Sequence, residues 1–413
     1  MATRPWRHEA SHRLWLNAHA HELLDFYQQP LRDPRGGYHE MGDDGTPTAE
    51  PGRQLVVTSR MVHCFAIAHL LGRPGATPVM DHGLRFLADA HRDSEHGGFR
   101  WIVGPDGVGD DSKEAYGHAF VLLAASSALV AGRPGARELL DEASDVLLNR
   151  FWSEADGLFA ETFSADFAER DTYRGQNSNM HLVEALMAAA EATGDDVYTR
   201  HAVRVAERLI RDITAGNGWR IPEHYTEHWT IDADYNADNP EHMYRPYGAN
   251  PGHWIEWSRL LLQLRALSRP SDDWMLDAAV RLFGQAIEDA WEDEPPGFAY
   301  TVDFEGRALN RDRYFWVHAE AVGAAAYLHD ATGDDAYEQS YRRSWDFIAD
   351  HLVDHRHGGW FWLLDPSNRP KHVPGVVVGK PDLYHALQAC LFPMVPVESG
   401  LVRAIADGKL RLP

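Results

Sequence analysis

The chain has 413 residues and a formal net charge of −23 at pH 7, from 39 Lys and Arg against 62 Asp and Glu. A negative field of that size repels phosphate backbones, which argues against nucleic acid and anionic membrane surfaces as partners. Hydrophobic residues make up 44% of the sequence and charged residues 24%. This composition is typical of a globular protein and not of a disordered or fibrous one.

The cysteines and the first residues bear on the cellular compartment. Cys64 and Cys390 provide neither a disulfide framework nor the spacing of zinc ligands. The opening residues, MATRPWRHEASHRLW, lack the apolar core of a signal peptide, and no later stretch approaches eighteen uninterrupted apolar residues. We therefore expect a cytoplasmic protein.

A glycine followed within two residues by an aromatic residue recurs along the chain. The first glycines of these motifs are Gly36, Gly97, Gly157, Gly218, Gly297 and Gly358. Their intervals are 61, 60, 61, 79 and 61 residues, which indicates repeated units of one period with a single insertion. The insertion falls within residues 228–248, which we predict to be a long ordered loop.

Between these motifs, apolar residues return every three or four positions, a spacing that predicts helices. In chain order, the predicted helices are 8–27, 54–71, 78–91, 113–131, 136–152, 177–193, 197–213, 252–267, 273–291, 314–332, 336–352 and 381–392. Strand patterns are few and short, which argues against a doubly wound sheet.

Alternate helices are rich in small residues on several faces, as in residues 124–128 and 323–326. A helix that is apolar or small all round packs on both sides, which suits the inner layer of a closed ring. Helices in six hairpins therefore predict an all-α fold, an (α/α)6 barrel. The length alone suggests two or three domains, but the repeat predicts a single domain over residues 1–413.

The inner helices of such a barrel are parallel, so their N-termini meet at one mouth. Polar groups lie near the predicted beginning of each inner helix: Arg60 and His63; Lys113, Tyr116 and His118; Asn177 and His181; His253 and Glu256; His318 and Glu320; Lys380, Asp382 and His385. Helix macrodipoles at this end favour a developing negative charge. A single histidine on an apolar helix is usually structural, but this recurrence indicates a candidate site.

Several motifs of other enzyme classes are absent or out of context. Residues 224–228, HYTEH, match the H-x-x-E-H pattern of a zinc-peptidase class, but they follow Pro222 outside any predicted helix. We therefore predict no metal site there. No G-x-G-x-x-G or Walker loop precedes a helix, and no G-x-S-x-G motif is present, so the usual nucleotide and serine-hydrolase sites are excluded.

Three long strings carry a family resemblance: RPYGANPGHWIEW (245–257), NSNMHLVEA (177–185) and KPDLYHALQA (380–389). With them, the sequence resembles the N-acylglucosamine 2-epimerase superfamily, and within it the aldose–ketose isomerase branch that includes mannose isomerases. The resemblance runs over nearly the whole chain. It implies an (α/α)6 barrel, in agreement with the fold that the repeat predicts.

The resemblance also implies roles for individual residues. Two family histidines act as acid and base at the sugar C1 and C2 atoms, and they match His253 and His385. A third, associated with ring opening and substrate holding, matches His181. Positions that line the family's pocket match Arg60, Tyr116, Asn177, Glu256, Trp316 and Glu320. We add His118 as a substrate contact because it lies near the beginning of the same predicted helix as Tyr116. The resemblance implies neither a metal nor another cofactor.

The implied activity is an aldose–ketose isomerase that interconverts D-mannose and D-fructose, with D-lyxose and D-xylulose as a second pair. Four alternatives stay open: a 2-epimerase of N-acylglucosamine or cellobiose; a sulfo- or phosphosugar isomerase that uses Arg60, Arg245 and Lys380; an inverting glycoside hydrolase with Glu256 and Glu320 about 6.5 to 9.5 Å apart; and a non-catalytic sugar-binding protein. The outward helix faces show no decisive apolar patch, so a homo-oligomer is an open possibility.

Overall fold

Six helical hairpins close into a ring in the computed structural model of the chain, which describes residues 4–48, 52–104, 107–242, 244–373 and 379–412. The helices of these residues are α1 (Ala10–Gln28), α2 (Leu55–Leu70), α3 (Ala76–Phe86), α4 (Ala115–Val130), α5 (Ala136–Val146), α6 (Gln176–Thr193), α7 (Asp196–Ala206), α8 (Pro251–Ser268), α9 (Trp274–Ala290), α10 (Phe315–Thr332), α11 (Asp335–Phe347), α12 (Tyr384–Leu391) and α13 (Leu401–Ala406). The inner ring runs α2, α4, α6, α8, α10, α12 and back to α2, each helix contacting the next. The predicted (α/α)6 barrel is therefore confirmed.

Burial separates the two layers of the ring. The inner helix α4 buries every residue from Ala115 to Ala128 except Tyr116, as expected for a helix packed on both sides. The outer helix α5 buries mainly one face, which includes Leu139, Leu140 and Ala143. Among the described helices, none is both long and apolar enough to cross a membrane.

Short antiparallel strands connect the helices at one end of the barrel. They are β1 (Arg53–Gln54), β2 (Ile102–Gly104), β3 (Gly107–Asp110), β4 (Lys113–Glu114), β5 (Trp152–Ser153), β6 (Leu158–Phe159), β7 (Thr162–Phe163), β8 (Arg174–Gly175), β9 (His224–Tyr225), β10 (Trp291–Asp293), β11 (Pro296–Phe298), β12 (Thr301–Val302), β13 (Ala308–Asn310), β14 (Arg313–Tyr314) and β15 (Leu363–Leu364). Strands β1, β4, β8 and β14 each end directly before an inner helix. In β4, for example, Lys113 lies opposite Phe163 of β7.

The structure shifts the predicted beginnings of two inner helices and adds a short helix. Helix α4 begins at Ala115 and not at residue 113, because the two preceding residues pair as strand β4. The last inner helix begins at Tyr384 and not at residue 381, since the Asp382 carboxylate accepts a hydrogen bond from the Tyr384 amide at 3.0 Å and closes a turn there. The unpredicted helix α13 packs on α2, α4 and α6.

The repeated glycine motifs form tight turns after the outer helices. In three of them an aspartate amide bonds to the carbonyl of the second glycine, at 3.1 Å for Asp33 and Gly37, 2.8 Å for Asp93 and Gly98, and 3.0 Å for Asp354 and Gly359. These second glycines have φ between 70° and 71°, in the left-handed region that favours glycine.

The same aspartates form buried ion pairs with the residues that lead into the inner helices. The nitrogen–oxygen distance is 2.5 Å for Arg53 and Asp33, 2.7 Å for Lys113 and Asp93, and 2.7 Å for Lys380 and Asp354. Burial alone would raise the pKa of Asp354, but Lys380 and two backbone amides outweigh it and lower that pKa to about 2. Each pair fixes the entry of an inner helix, and with it the side chains at the mouth.

Candidate active site

A cavity of about 320 Å³ opens at the N-terminal ends of the inner helices. Its lining includes eight residues that the sequence predicts for the site: Arg60, Tyr116, Asn177, His181, His253, Glu256, Trp316 and His385. It also includes residues from the loops and strands at the mouth: Glu40, Gln54, Tyr244, Pro246, Tyr300, Tyr314, Trp362, Pro381 and Asp382. The barrel thus brings together groups that are up to 345 residues apart in the chain.

Helical geometry explains which side chains reach the cavity. Tyr116, Trp316 and His385 are the second residues of their helices, and His253 is the third. Arg60, His181 and Glu256 are the sixth residues of theirs. A residue two places after the second position is rotated by about 200° and faces the outer layer. Cavity positions therefore recur at the second, third and sixth residues of the inner helices.

His253 is held by a glutamate and a glutamine from the neighbouring unit. Its Nδ1 lies 2.9 Å from Glu223 Oε2, and because a carboxylate only accepts, we assign the proton to Nδ1. Gln176 Nε2 lies 2.9 Å from both atoms and donates to the carboxylate. The Gln176 amide is oriented by Trp257, whose Nε1 donates to Gln176 Oε1 at 2.8 Å. This arrangement leaves His253 Nε2 as an acceptor for the cavity.

His385 has an equivalent partner. Its Nδ1 donates to Glu320 Oε1 at 2.9 Å, and Arg259 Nε donates to Glu320 Oε2 at 2.7 Å. Burial lowers the pKa of His385 below 6.5, although the hydrogen bond that His385 donates to Glu320 opposes this shift. The imidazole is therefore neutral near pH 7 and can act as a base through Nε2.

Trp316 lies between the two histidine–glutamate pairs. Its ring centroid is 5.1 Å from that of His253, at an interplanar angle of 29°, and 5.8 Å from that of His385, at 36°. The indole approaches α8 at Gly252, where a Cβ atom would lie 2.6 Å from the ring. A side chain at position 252 would displace the indole, so the glycine is required for this packing.

His181 and Glu256 face each other at the inner end of the cavity. His181 Nδ1 is buried without a hydrogen bond, 3.8 Å from Glu256 Oε1 and 3.7 Å from Glu184 Oε2. Burial lowers the pKa of His181 to about 4. Burial and the neighbouring Glu320 raise the pKa of Glu256 well above its usual range. A neutral imidazole and a neutral carboxylic acid thus offer hydrogen bonds to an uncharged ligand.

Arg60 contributes a positive charge to the cavity wall. Its Nη1 donates to Asp382 Oδ2 at 3.2 Å and its Nη2 to the Tyr116 hydroxyl at 3.0 Å. The guanidinium carbon lies 4.4 Å from the centroid of the Phe120 ring, an arrangement typical of cation–π contact. The charge of Arg60 is therefore largely balanced within the protein.

Two predicted substrate contacts lie outside the cavity lining. His118 Nδ1 is 2.7 Å from the Glu114 carbonyl, and its Nε2 accepts from the Phe99 amide at 3.1 Å. As the fourth residue of α4, His118 faces the outer layer, where both of its ring nitrogens are bonded within the protein. Glu320 is buried behind His385 and acts on the cavity through that histidine.

A cluster of two glutamates and a histidine near the cavity is paired with an arginine side chain. The ligand atoms of Glu256, Glu320 and His385 lie within 4.8 Å of one another. Arg259 Nη2 lies 3.4 Å from Glu256 Oε1, in addition to its 2.7 Å contact with Glu320. Arg259 therefore supplies the positive charge that a metal ion would bring. In the HYTEH segment, His224 bonds to Tyr173 and the Pro246 carbonyl, while His228 is exposed.

Sequence reasoning did not find several residues of this site. Glu223 lies 30 residues before His253, outside any helix, so no local spacing relates the two. Gln176 is the first residue of α6 and carries no recognisable signal. Arg259 follows Glu256 by three residues, and this helical spacing could have suggested a buried ion pair.

Comparison with known proteins agrees with this geometry. The family model described as N-acylglucosamine 2-epimerase matches residues 36–389. A D-mannose isomerase from Thermobifida fusca is 45% identical over 97% of this chain and 98% of its own length. A crystal structure of D-mannose isomerase superposes with a TM-score of 0.86 and 34% identity, covering 91% of this chain and 96% of that one. A cellobiose 2-epimerase from Dictyoglomus turgidum is 26% identical over 90% of this chain and 94% of its own length.

The fold and the cavity define a helical-barrel protein whose candidate site contains two histidine–glutamate pairs. The chain belongs to the N-acylglucosamine 2-epimerase family.

Proposed function

We propose that the chain is an aldose–ketose isomerase that interconverts D-mannose and D-fructose. The observation that carries this proposal is the pair of histidines, His253 and His385, each held through Nδ1 by a glutamate and both adjacent to Trp316. Two imidazoles with free Nε2 atoms provide a base for a carbon-bound proton and a second group for the sugar oxygens. The similarity to proteins named D-mannose isomerase supports the same substrate.

The reaction needs an open-chain sugar and two proton transfers. A histidine base removes the proton from C2, and the electron pair forms a C1–C2 double bond while O1 gains negative charge. The resulting cis-enediolate is protonated at C1, and the O2 proton is transferred to O1, which leaves the C2 ketone and a C1 hydroxyl. His253 and His385 carry these protons at C1, C2 and their oxygens. His181 holds the sugar and assists ring opening from the inner end of the cavity.

Groups that the fold already holds in position stabilise the negative charge of the enediolate. Arg60 is oriented by Asp382 and Tyr116, and the N-termini of the inner helices point toward the cavity. Such preorganised donors stabilise a developing oxyanion without reorganising during the reaction. Glu256, as a neutral acid, can donate a hydrogen bond to a sugar hydroxyl.

The cation pattern supports a neutral sugar over a sulfo- or phosphosugar. Arg60 is the single Lys or Arg among the described residues of the cavity lining, and it is paired with Asp382. Arg245 stacks 4.0 Å from the Tyr173 ring centroid. Lys380 is bound to Asp354. Because Asp382 is paired with Arg60 and Glu256 is a neutral acid, the described lining offers an anionic sugar no unpaired cation.

The carboxylate geometry argues against an inverting glycoside hydrolase. The nearest oxygens of Glu256 and Glu320 lie within 4.8 Å of each other, whereas inverting enzymes separate their carboxyl groups by about 6.5 to 9.5 Å. Glu320 is also committed to Arg259 and His385. Neither residue is free to activate a water on the far side of a glycosidic bond.

A direct assay separates isomerisation from epimerisation, the second candidate. Incubation with D-mannose is expected to give D-fructose as the main product, because the C2 proton is returned to C1. Product identity would be read by NMR, with D-lyxose, D-glucose, cellobiose and a hexose 6-phosphate as parallel substrates. D-Glucose as the main product from mannose would instead assign a 2-epimerase, the activity named for the more distant relatives.

A substitution at Glu320 tests its positioning role. Glu320→Gln is expected to lower kcat by roughly 10²- to 10⁴-fold, as for other carboxylates that fix the tautomer of a catalytic imidazole. Because Glu320 raises the pKa of His385, its loss should also move the acid limb of the kcat profile to lower pH. An unchanged acid limb, with circular dichroism matching the wild type, would contradict this role.

A further inference from the structure

The long loop between β9 and α8 spans the mouth of the barrel. We call the loop, residues 228–248, the strap; residue 243 lies outside the described part of the chain. The strap leads into α8, which is three places from α2 in the ring of six inner helices and therefore opposite to it. Near its end, the Tyr244 hydroxyl donates to Gln54 Oε1 at 3.2 Å, and Gln54 directly precedes α2. The strap thus joins opposite sides of the mouth.

Tyr244 is fixed at both its hydroxyl and its ring. The amide of Gln54 that accepts from Tyr244 also donates through Nε2 to Glu40 Oε1 at 3.0 Å. The Tyr244 ring lies with its centroid 6.0 Å from that of Trp101 and 5.9 Å from that of Tyr116. Three separate segments therefore hold one aromatic side chain in the cavity wall.

The residues beside Tyr244 anchor the strap to the barrel. The Arg245 guanidinium lies 4.0 Å from the Tyr173 ring centroid. Within the strap, Asn236 Nδ2 donates to the Arg245 carbonyl at 2.6 Å. His224 Nε2 donates to the Pro246 carbonyl at 2.7 Å. These contacts make the end of the strap a fixed part of the wall.

Tyr244 lies at the outer end of the cavity. Arg60, His181 and Glu256 are sixth residues of their helices, about 7.5 Å along the axis from the first residue. His253 and His385 are nearer the helix starts, and Gln54 precedes α2. A sugar with C1 and C2 between the histidines, and with O1 and O2 toward Arg60, His181 and Glu256 at the inner end, directs C4 toward the mouth. A second sugar attached to it would have to pass the Tyr244 ring.

We propose that Tyr244, held by Gln54 and Glu40, determines substrate size by limiting this site to a free monosaccharide and rejecting one that carries a second sugar. This inference rests on the proposed function. The barrel itself does not impose the limit, since relatives named cellobiose 2-epimerase match 89 to 90% of this chain. The discriminating element is the aromatic ring and not the hydroxyl that positions it.

The test compares Tyr244→Ala with Tyr244→Phe on D-mannose and on 4-O-β-D-mannosyl-D-mannose, which has the same reducing unit. Wild type and Tyr244→Phe are expected to convert mannose alone, because both keep the ring. Tyr244→Ala should convert the disaccharide at least tenfold faster than wild type, while its kcat/KM for mannose falls less than tenfold. Tyr244→Ser provides a second truncation in case the alanine variant fails to fold.

Binding is measured in parallel by saturation-transfer NMR with the disaccharide, so the inference does not depend on turnover. If neither wild type nor any variant converts mannose, the proposed function fails. Disaccharide binding to the truncated variants, but not to wild type or Tyr244→Phe, would still support the size limit. The inference is overturned if folded Tyr244→Ala and Tyr244→Ser neither bind nor convert the disaccharide, or if wild type accepts it.

Discussion

A His385→Ala variant is expected to lose isomerase activity by on the order of 10²- to 10⁴-fold, the usual contribution of a general acid–base group. His253→Ala should show a loss of the same order. Each substitution removes an imidazole whose Nε2 faces the cavity and leaves the glutamate partner in place. Initial rates of fructose formation from mannose provide the measurement.

His228→Ala is the matched control for these two variants. The His228 side chain is 83% exposed and lies in the strap, outside the cavity lining, so its kinetics should equal those of wild type. All three variants are expected to keep the wild-type circular dichroism spectrum, because the inner helices are held by apolar packing. Near wild-type rates for His385→Ala or His253→Ala would show that the proton-transfer roles are wrongly assigned.

The second large effect concerns stability and the buried pair of Lys113 and Asp93. Lys113→Met is expected to lower the free energy of unfolding by about 3 kcal/mol, because it leaves the Asp93 carboxylate buried without its main partner. The value is at the low end for a buried pair, since Arg100 still contacts Asp93 at 3.1 Å. Urea unfolding followed by circular dichroism measures the change.

The effect of Lys113→Met should depend on pH. Burial opposes the charge of Asp93, but Lys113 and backbone amides outweigh it and lower the pKa of that carboxyl in the folded state. The resulting stabilisation is complete above the unfolded pKa, about 3.9, and is lost as the pH falls further. The difference between wild type and variant should therefore shrink below pH 4.

An exposed ion pair serves as the control for the buried one. Arg137 and Asp141 form an i,i+4 pair on α5 with side chains 58% and 54% exposed. Arg137→Met should leave the free energy of unfolding nearly unchanged, because solvent screens an exposed pair. Equal stability of Lys113→Met and Arg137→Met would contradict the claim that the buried pairs hold the entries of the inner helices.

The period of the glycine motifs predicts the barrel because each turn has a physical role. Glycines such as Gly98 adopt positive φ, and the preceding aspartate ties the turn to the next inner helix. The helix bounds were less accurate at the mouth. Residues such as Lys113 continue the helical pattern in sequence but pair as strands, since strand pairing there is a tertiary interaction.

The residues of the candidate site that lie on inner helices could be predicted from the sequence. His181, His253 and His385 lie in strings that also define their helices. His118 lies outside the cavity lining because it follows Tyr116 by two residues, so the two side chains point about 200° apart around α4. Glu223 and Tyr244 lie in connecting segments, where only tertiary structure brings them to the cavity.

Conversion of D-mannose in D₂O, followed by NMR, tests the central claim most directly. When a histidine base carries the proton from C2 to C1 through an enediolate, that proton exchanges with solvent in a fraction of the turnovers. Deuterium is therefore expected at C1 of the fructose formed and at C2 of the recovered mannose. Fructose without deuterium at C1, together with recovered mannose without deuterium at C2, is the result expected for direct hydride transfer and would contradict the roles proposed for His253 and His385.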